Sequence, residues 1–182
     1  VPPALREISI ASLNCERFFS ANDAEYSARR TKLVRFVLGT LHAPDIVAVM
    51  EIENLRVLEE VASSINTTAR ENGLPDPDYR AFLEEGMDPG GIDTGFLVKA
   101  ARVEVLNVFQ WGRQDTYVRP DGRIETLNER PPLTLHAKVE NRDFIIVANH
   151  FRSMIDVEDP AAGPRIRLKR RLQAEQLRDL VS

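Results

Sequence analysis

Polar residues that could do chemistry sit beside apolar runs at four places in this chain: Asn14, Glu51, Asp93 and the Asn149-His150 pair. Together they resemble a kit for hydrolysing a phosphate ester. At neutral pH that reaction needs a metal or cationic clamp for developing oxyanions, an activated water and a proton source for the leaving oxygen. Glu51 could offer a carboxylate to a hard Mg²⁺ ion, which takes one or two such ligands and keeps several waters. Asn14 could hold a carboxylate or a phosphate oxygen through its amide. His150 could contact the scissile phosphate or pass a proton, with Asp93 fixing its ring through one nitrogen. Each also has an ordinary reading. Glu51 would then be a solvated loop residue, Asn14 a turn former and Asn149-His150 a satisfied pair. Spacing alone leaves both readings open.

The elements that must position these groups can be read from the pattern. The run Asp45-Ile46-Val47-Ala48-Val49-Met50-Glu51 has no alternation and is rich in β-branched residues, which predicts a strand buried on both faces. Its C-terminal end is where ligands collect in open α/β sheets. Residues 6–13 alternate as a strand ending at Asn14, and residues 24–41 carry Leu33, Phe36, Val37 and Leu41 at helical spacing. Asn54 is an N-cap for a second helix that ends at Asn72-Gly73. Strands follow at 79–83, 93–99 and 103–111, then a hairpin at 133–139 and 144–148. Between them, residues 112–131 carry Arg113, Arg119, Arg123 and Arg130 around a Pro120-Asp121-Gly122 turn, as a long surface loop or ribbon. A last helix spans 165–181 with Leu168, Leu172, Gln176 and Leu177 roughly in register. Its basic run, Arg165 to Arg171, reads as a solvated face or as a phosphate-contacting patch.

The chain has 182 residues, 43% of them hydrophobic, enough for one domain with a sizeable core. With a net charge of -4 nothing marks the chain as a general nucleic-acid glue, and a phosphate-bearing substrate would need bound cations or a local basic patch. The single cysteine, Cys15, forms no internal disulfide and reads as a buried small hydrophobe. No apolar stretch approaches the ~20 residues of a membrane span. Val1-Pro2-Pro3 has no signal-peptide character. The element order implies an α/β (α+β) fold with a mixed sheet and helices on one face.

Five stretches in order resemble the endonuclease/exonuclease/phosphatase superfamily, the group of pancreatic deoxyribonuclease, and within it a bacterial branch that includes secreted nucleases. They are Ser12-Leu13-Asn14-Cys15-Glu16-Arg17-Phe18, Pro44 through Asn54, Gly91-Ile92-Asp93-Thr94-Gly95-Phe96-Leu97, Arg130-Pro131-Pro132-Leu133, and Ala148-Asn149-His150-Phe151-Arg152-Ser153. The resemblance implies that Glu51 binds the metal with help from Glu16, with Glu53 as the competing ligand. It implies catalytic roles for Asn14, His150 and Asp93, and substrate contacts from Arg130, Asn149 and Arg152. The cofactor would be Mg²⁺, with Mn²⁺ or Ca²⁺ as alternatives, and the substrate DNA or another phosphoester. The family's later Gly-Asp-x-Asn and Ser-Asp-His motifs do not occur between Val1 and Ser182. The expectation is therefore residues 1–182 as the N-terminal half of a four-layer α/β/β/α sandwich, incomplete at the C-terminus with its second sheet missing. The bare sheet face would favour self-association. Alternatives within this resemblance are a phosphomonoesterase or phospholipase-type hydrolase, and a non-catalytic binding module.

Overall fold

The computed structural model describes residues 7–181. The expected strand start at Arg6 and the Val1-Pro2-Pro3 segment lie outside the described residues. The element order is β1 (Ile10–Phe18), α1 (Asp23–Arg35), β2 (Ile46–Ile52), α2 (Leu55–Glu71), β3 (Tyr79–Leu83), β4 (Asp93–Lys99), β5 (Glu104–Gln110), β6 (Thr116–Val118), β7 (Ile124–Thr126), β8 (Leu133–Val139), β9 (Arg142–Ala148) and α3 (Gly163–Val181). After α1 the helix widens by one residue per turn over Phe36–Thr40, with Leu41 N–H donating to Phe36 C=O at 3.0 Å.

Strand β2 lies at the centre because both of its faces are apolar. Val47 and Val49 face α1 and α2 in one core, with Val57, Leu58, Val61, Ile65 and Leu97. Ile46 and Ala48 face the opposite way, into a second core with Phe96, Val98, Leu133, Leu135 and Ala137. The first sheet has the order β1-β2-β4-β3, with β1 parallel to β2 and β4 antiparallel to both its neighbours. Asn54 caps α2 as its sequence suggests, its side-chain oxygen accepting Val57 N–H at 2.9 Å.

The second core corrects the expectation of a bare sheet. Strands β5, β8 and β9 form a separate antiparallel sheet, and their inward residues cover the face predicted to stand exposed. Nothing in a strand's alternation says which sheet it joins. The partition is made at a corner after β4, where Val103 N–H donates to Lys99 C=O at 3.0 Å. Arg102 fixes the same corner by reaching buried Asp45 at 2.9 Å. Residues 112–131 are a ribbon rather than an open loop, with β6 paired to β7 across the predicted turn.

Helix α3 packs differently from its sequence pattern. Its buried positions are Gly163, Ile166, Lys169 and Gln173, whereas Leu168, Leu172 and Leu177 are half-buried. The cause is the ribbon's acidic side. Lys169, 1% exposed, pairs with Glu125 at 3.0 Å and with Glu129. Arg165 grips Glu125 through two hydrogen bonds of 2.8 and 2.6 Å. Arg167 and Arg170 donate to the carbonyls of Val157 and Arg152. Much of the basic run therefore serves docking.

Two stability predictions follow from these contacts. Arg165 and Lys169 hold the Glu125 carboxyl down from 4.5 to about 2. A depressed carboxylate stabilises the fold fully above its unfolded value, so urea midpoints should fall as pH drops from 4.5 towards 2. Glu125→Gln should flatten that slope. Gly95→Ala would set a methyl 2.6 Å from Leu58 and 3.0 Å from the Phe82 carbonyl. Denaturant unfolding should show a loss of about 1–3 kcal/mol from overpacking.

Candidate active site

Glu51 is the extra residue of a β-bulge. In the β2–β4 ladder Met50 faces Thr94 and Ile52 faces Asp93, so Glu51 has no partner of its own. Its φ of 63° lies in the left-handed region, a strained setting for a residue with a Cβ. Such bulges re-aim a side chain at the end of a ladder. Here the bulge also flips the strand's parity, so that Ile52 joins Val47 and Val49 in the helix-side core. Glu51 is thereby freed for the rim.

A second irregularity in β1 meets it. Asn14 faces Met50 and Phe18 faces Ile52, so Cys15, Glu16 and Arg17 loop out between them. Glu16 and Arg17 have φ of 53° and 57°. The result grips the Glu51 carboxylate from both sides. Asn14 Nδ2 donates to Oε1 at 2.9 Å and Arg17 N–H donates to Oε2 at 2.9 Å. Asn14 is itself held, its Oδ1 accepting Glu16 N–H at 2.8 Å. Arg29, from α1, ties down the loop by donating to the Cys15, Glu16 and Arg17 carbonyls at 2.7, 2.7 and 3.1 Å. The Cys15 thiol is buried, which pushes its pKa up to about 12 and leaves it unsuited to nucleophilic work.

His150 arrives from the other sheet, just past β9. Its Nε2 lies 3.5 Å from Glu51 Oε1, and both side chains are about one-fifth exposed, at 19% and 18%. Burial pushes the imidazole pKa down, and the Arg130 guanidinium adds to this against the opposing pull of Glu51 and Asp88. The contact is therefore that of a neutral ring, able to donate or accept one proton.

Asn14, Glu51 and His150 thus come together, two from breaks in strand pairing and one from just past a strand end in the other sheet. Asp93 behaves differently. Its Oδ1 accepts Gly86 N–H at 2.6 Å, while His150 Nδ1 is buried with no hydrogen-bond partner among the described residues. The expected Asp93–His150 bond is not formed, because the loop before β4 supplies Asp93 with a backbone donor first. A Cβ on Gly86 would lie 2.6 Å from the Glu129 carbonyl and 2.9 Å from Asp93, so glycine permits this approach. Burial raises the Asp93 pKa, against the Gly86 hydrogen bond.

Arg130 donates to the Phe151 carbonyl at 3.0 Å. Asn149 donates weakly to Val147 at 3.4 Å, and its side-chain oxygen is buried without a partner among the described residues. The Arg152 backbone N–H donates to Gln173 at 3.0 Å. Glu16 is exposed at the rim. Glu53 is committed elsewhere, accepting both the backbone N–H and the hydroxyl of Ser20 at 2.7 and 2.8 Å. Sequence reasoning missed Arg29 and Gln173. Both act on backbone groups, so only three-dimensional placement distinguishes them from other polar helix residues.

The donor set suits a hard ion that keeps most of its water. Each Glu51 oxygen has one donor and retains a further lone pair. Among the described residues no group of three or more His, Cys, Asp or Glu side chains is placed to hold an ion.

Two stacked sheets, with helices outside the first and polar residues collected at one end, give this chain a fold shared with solved structures of phosphoester-processing proteins. An endonuclease/exonuclease/phosphatase family protein from Bacteroides thetaiotaomicron superposes with a TM-score of 0.56 at 15% identity, over 95% of this chain and 59% of that one. A humanized D. rerio TDP2 gives 0.53 at 18% identity, over 88% and 57%. ANGEL2, a 2',3'-cyclic phosphatase crystallised with adenosine-2',3'-vanadate, gives 0.52 at 13% identity, over 91% and 46%. The chain thus spans about half the length of these structures. No family model and no curated protein matches it by sequence.

The depressed His150 pKa can be tested directly. Its ring protons should titrate by NMR with a midpoint below 6.5. Because the folded value is the lower one, the neutral ring's contribution to stability is full above 6.5 and is lost as pH falls through the folded midpoint.

Proposed function

We propose that this chain carries the metal-binding and phosphate-contacting side of a metal-dependent phosphodiester hydrolase, most simply an endonuclease acting on DNA. The observation that supports the reading best is the convergence of Asn14, Glu51 and His150 at one rim, with Glu51 aimed there by its bulge. Glu51 would hold a divalent cation, Mg²⁺ or else Mn²⁺ or Ca²⁺, with Glu16 assisting. When bound, such an ion supplies positive charge for the phosphoryl oxygens and the departing oxygen.

The chain's own residues do the rest of what this side requires. Asn14 and Arg17 N–H fix the Glu51 carboxylate, so its geometry is set before any ligand arrives. Asn14 Nδ2 has a second hydrogen to offer a phosphate oxygen. Neutral His150 can donate from Nε2 to a phosphoryl oxygen. Arg130, close enough to depress the His150 pKa, adds positive charge for an anionic substrate. Asp93 contributes by holding the Gly86 loop.

A phosphomonoesterase or phospholipase-type hydrolase uses the same arrangement, since scaffold does not fix substrate. A non-catalytic binding module that holds a phosphate group at the same residues is a second reading. The test is hydrolysis of bis(p-nitrophenyl) phosphate and nicking of plasmid DNA, with and without Mg²⁺, by the chain and by any longer form of the protein. Glu51→Gln should lower the rate at least about 100-fold, the scale of losing one preorganised catalytic group. Hydrolysis that survives both that change and a chelator would overturn the proposal. A protein that binds oligonucleotide but cleaves neither substrate would favour the binding module.

A further inference from the structure

A groove of about 480 Å³ runs along the free edge of β1, between that strand and α1. At one end it is lined by Asn14 and Glu16, so it opens directly from the candidate active site. Its α1 wall carries Arg29, Lys32 and Arg35, and Glu16 is the one carboxylate among its described lining residues. In a chain of net charge -4 this is a local reversal of sign.

The cations are not equivalent. Arg29 is consumed by the Cys15, Glu16 and Arg17 carbonyls. Lys32 and Arg35 are exposed, and neither side chain has a hydrogen bond or ion pair among the described residues. Three residues apart on a helix, they project from the same side. They also suit the carbonyl end of α1, which accounts for their sign. Helix-end electrostatics would be served equally on any side of the last turn, and does not account for both lining one groove. Between them Leu33 and half-exposed Phe36 give the groove an apolar wall, with Phe36 at 38% exposure. Cations for phosphates beside an aromatic face for a base is the chemistry of a single-stranded nucleic-acid track.

We propose that this groove binds the strand flanking the scissile phosphate, with Lys32 and Arg35 on its phosphates and Phe36 against a base. The preferred substrate is then a polynucleotide, with at least one phosphate beyond the reacting one. This rests on the hydrolase reading for its register, but it predicts binding that can be measured without turnover.

The experiment uses the 182-residue chain and a fluorescein-labelled short oligothymidylate, followed by anisotropy across a salt series. Lys32→Ala/Arg35→Ala should weaken binding about tenfold and reduce the slope of log K against log salt by about 1.4, two contacts at about 0.7 each. Phe36→Ala should weaken it further with no change in slope. Arg80→Ala/Lys138→Ala removes the same charge at the opposite end of the sandwich and should leave binding unchanged. Hydrolysis of bis(p-nitrophenyl) phosphate should not respond to the Lys32/Arg35 change, since that diester has no flanking phosphate. Absence of oligothymidylate binding, equal losses in both double variants, or a Lys32/Arg35 effect confined to anionic phosphatidylserine vesicles would each overturn the proposal. Failure of the hydrolase reading would show separately, as no Mg²⁺-dependent cleavage of the small diester by the chain or by any longer form of the protein.

Discussion

The structure depends on one strand having to satisfy two cores at once. β2 is apolar on both faces because helices pack on one side and a second sheet on the other. A strand so enclosed has no polar face along its length. The only place it can present a functional group is where its ladder breaks, and the bulge at Glu51 is that break. Backbone strain at Glu51 is compensated by what it secures. A carboxylate fixed by Asn14 and Arg17 N–H needs little rearrangement to receive a cation.

The β1 irregularity belongs to the same constraint. Cys15 and Phe18 must stay in the helix-side core while Asn14 faces the rim, and parity alone would not allow all three. Three looped-out residues resolve the conflict, leaving carbonyls directed towards Arg29. Core packing and the site geometry are therefore one problem, solved by two adjacent breaks in pairing.

Much of this was legible in the sequence, for identifiable reasons. The β2 run, the Asn54 cap and the hairpin at 133–148 are encoded by local pattern and local chemistry, and they appear where expected. So do Asn14, Glu51 and His150 at one rim, because each ends or interrupts an apolar run. The division into two sheets was not legible, since Leu133, Leu135 and Ala137 alternate as they would in either sheet. Nor was the Asp93 partner, a backbone N–H that Gly86 supplies from the loop before β4. The α3 pattern misled because Lys169 and Gln173, polar by type, are drawn inside by Glu125, Glu129 and the Leu127 carbonyl. Shared architecture with TDP2 and ANGEL2 at 18% and 13% identity is a statement about shape alone.

Gln173 ties two distant parts of the chain through a single amide. Its oxygen accepts Arg152 N–H at 3.0 Å, two residues beyond His150, and its nitrogen donates to the Leu127 carbonyl at 2.9 Å. An uncharged group does this without competing with the Lys169 cluster for counterions. The segment after His150 and the ribbon therefore form one cooperative unit. If α3 detaches, the histidine loses its footing together with the ribbon, so amide exchange at both places reports a shared opening event.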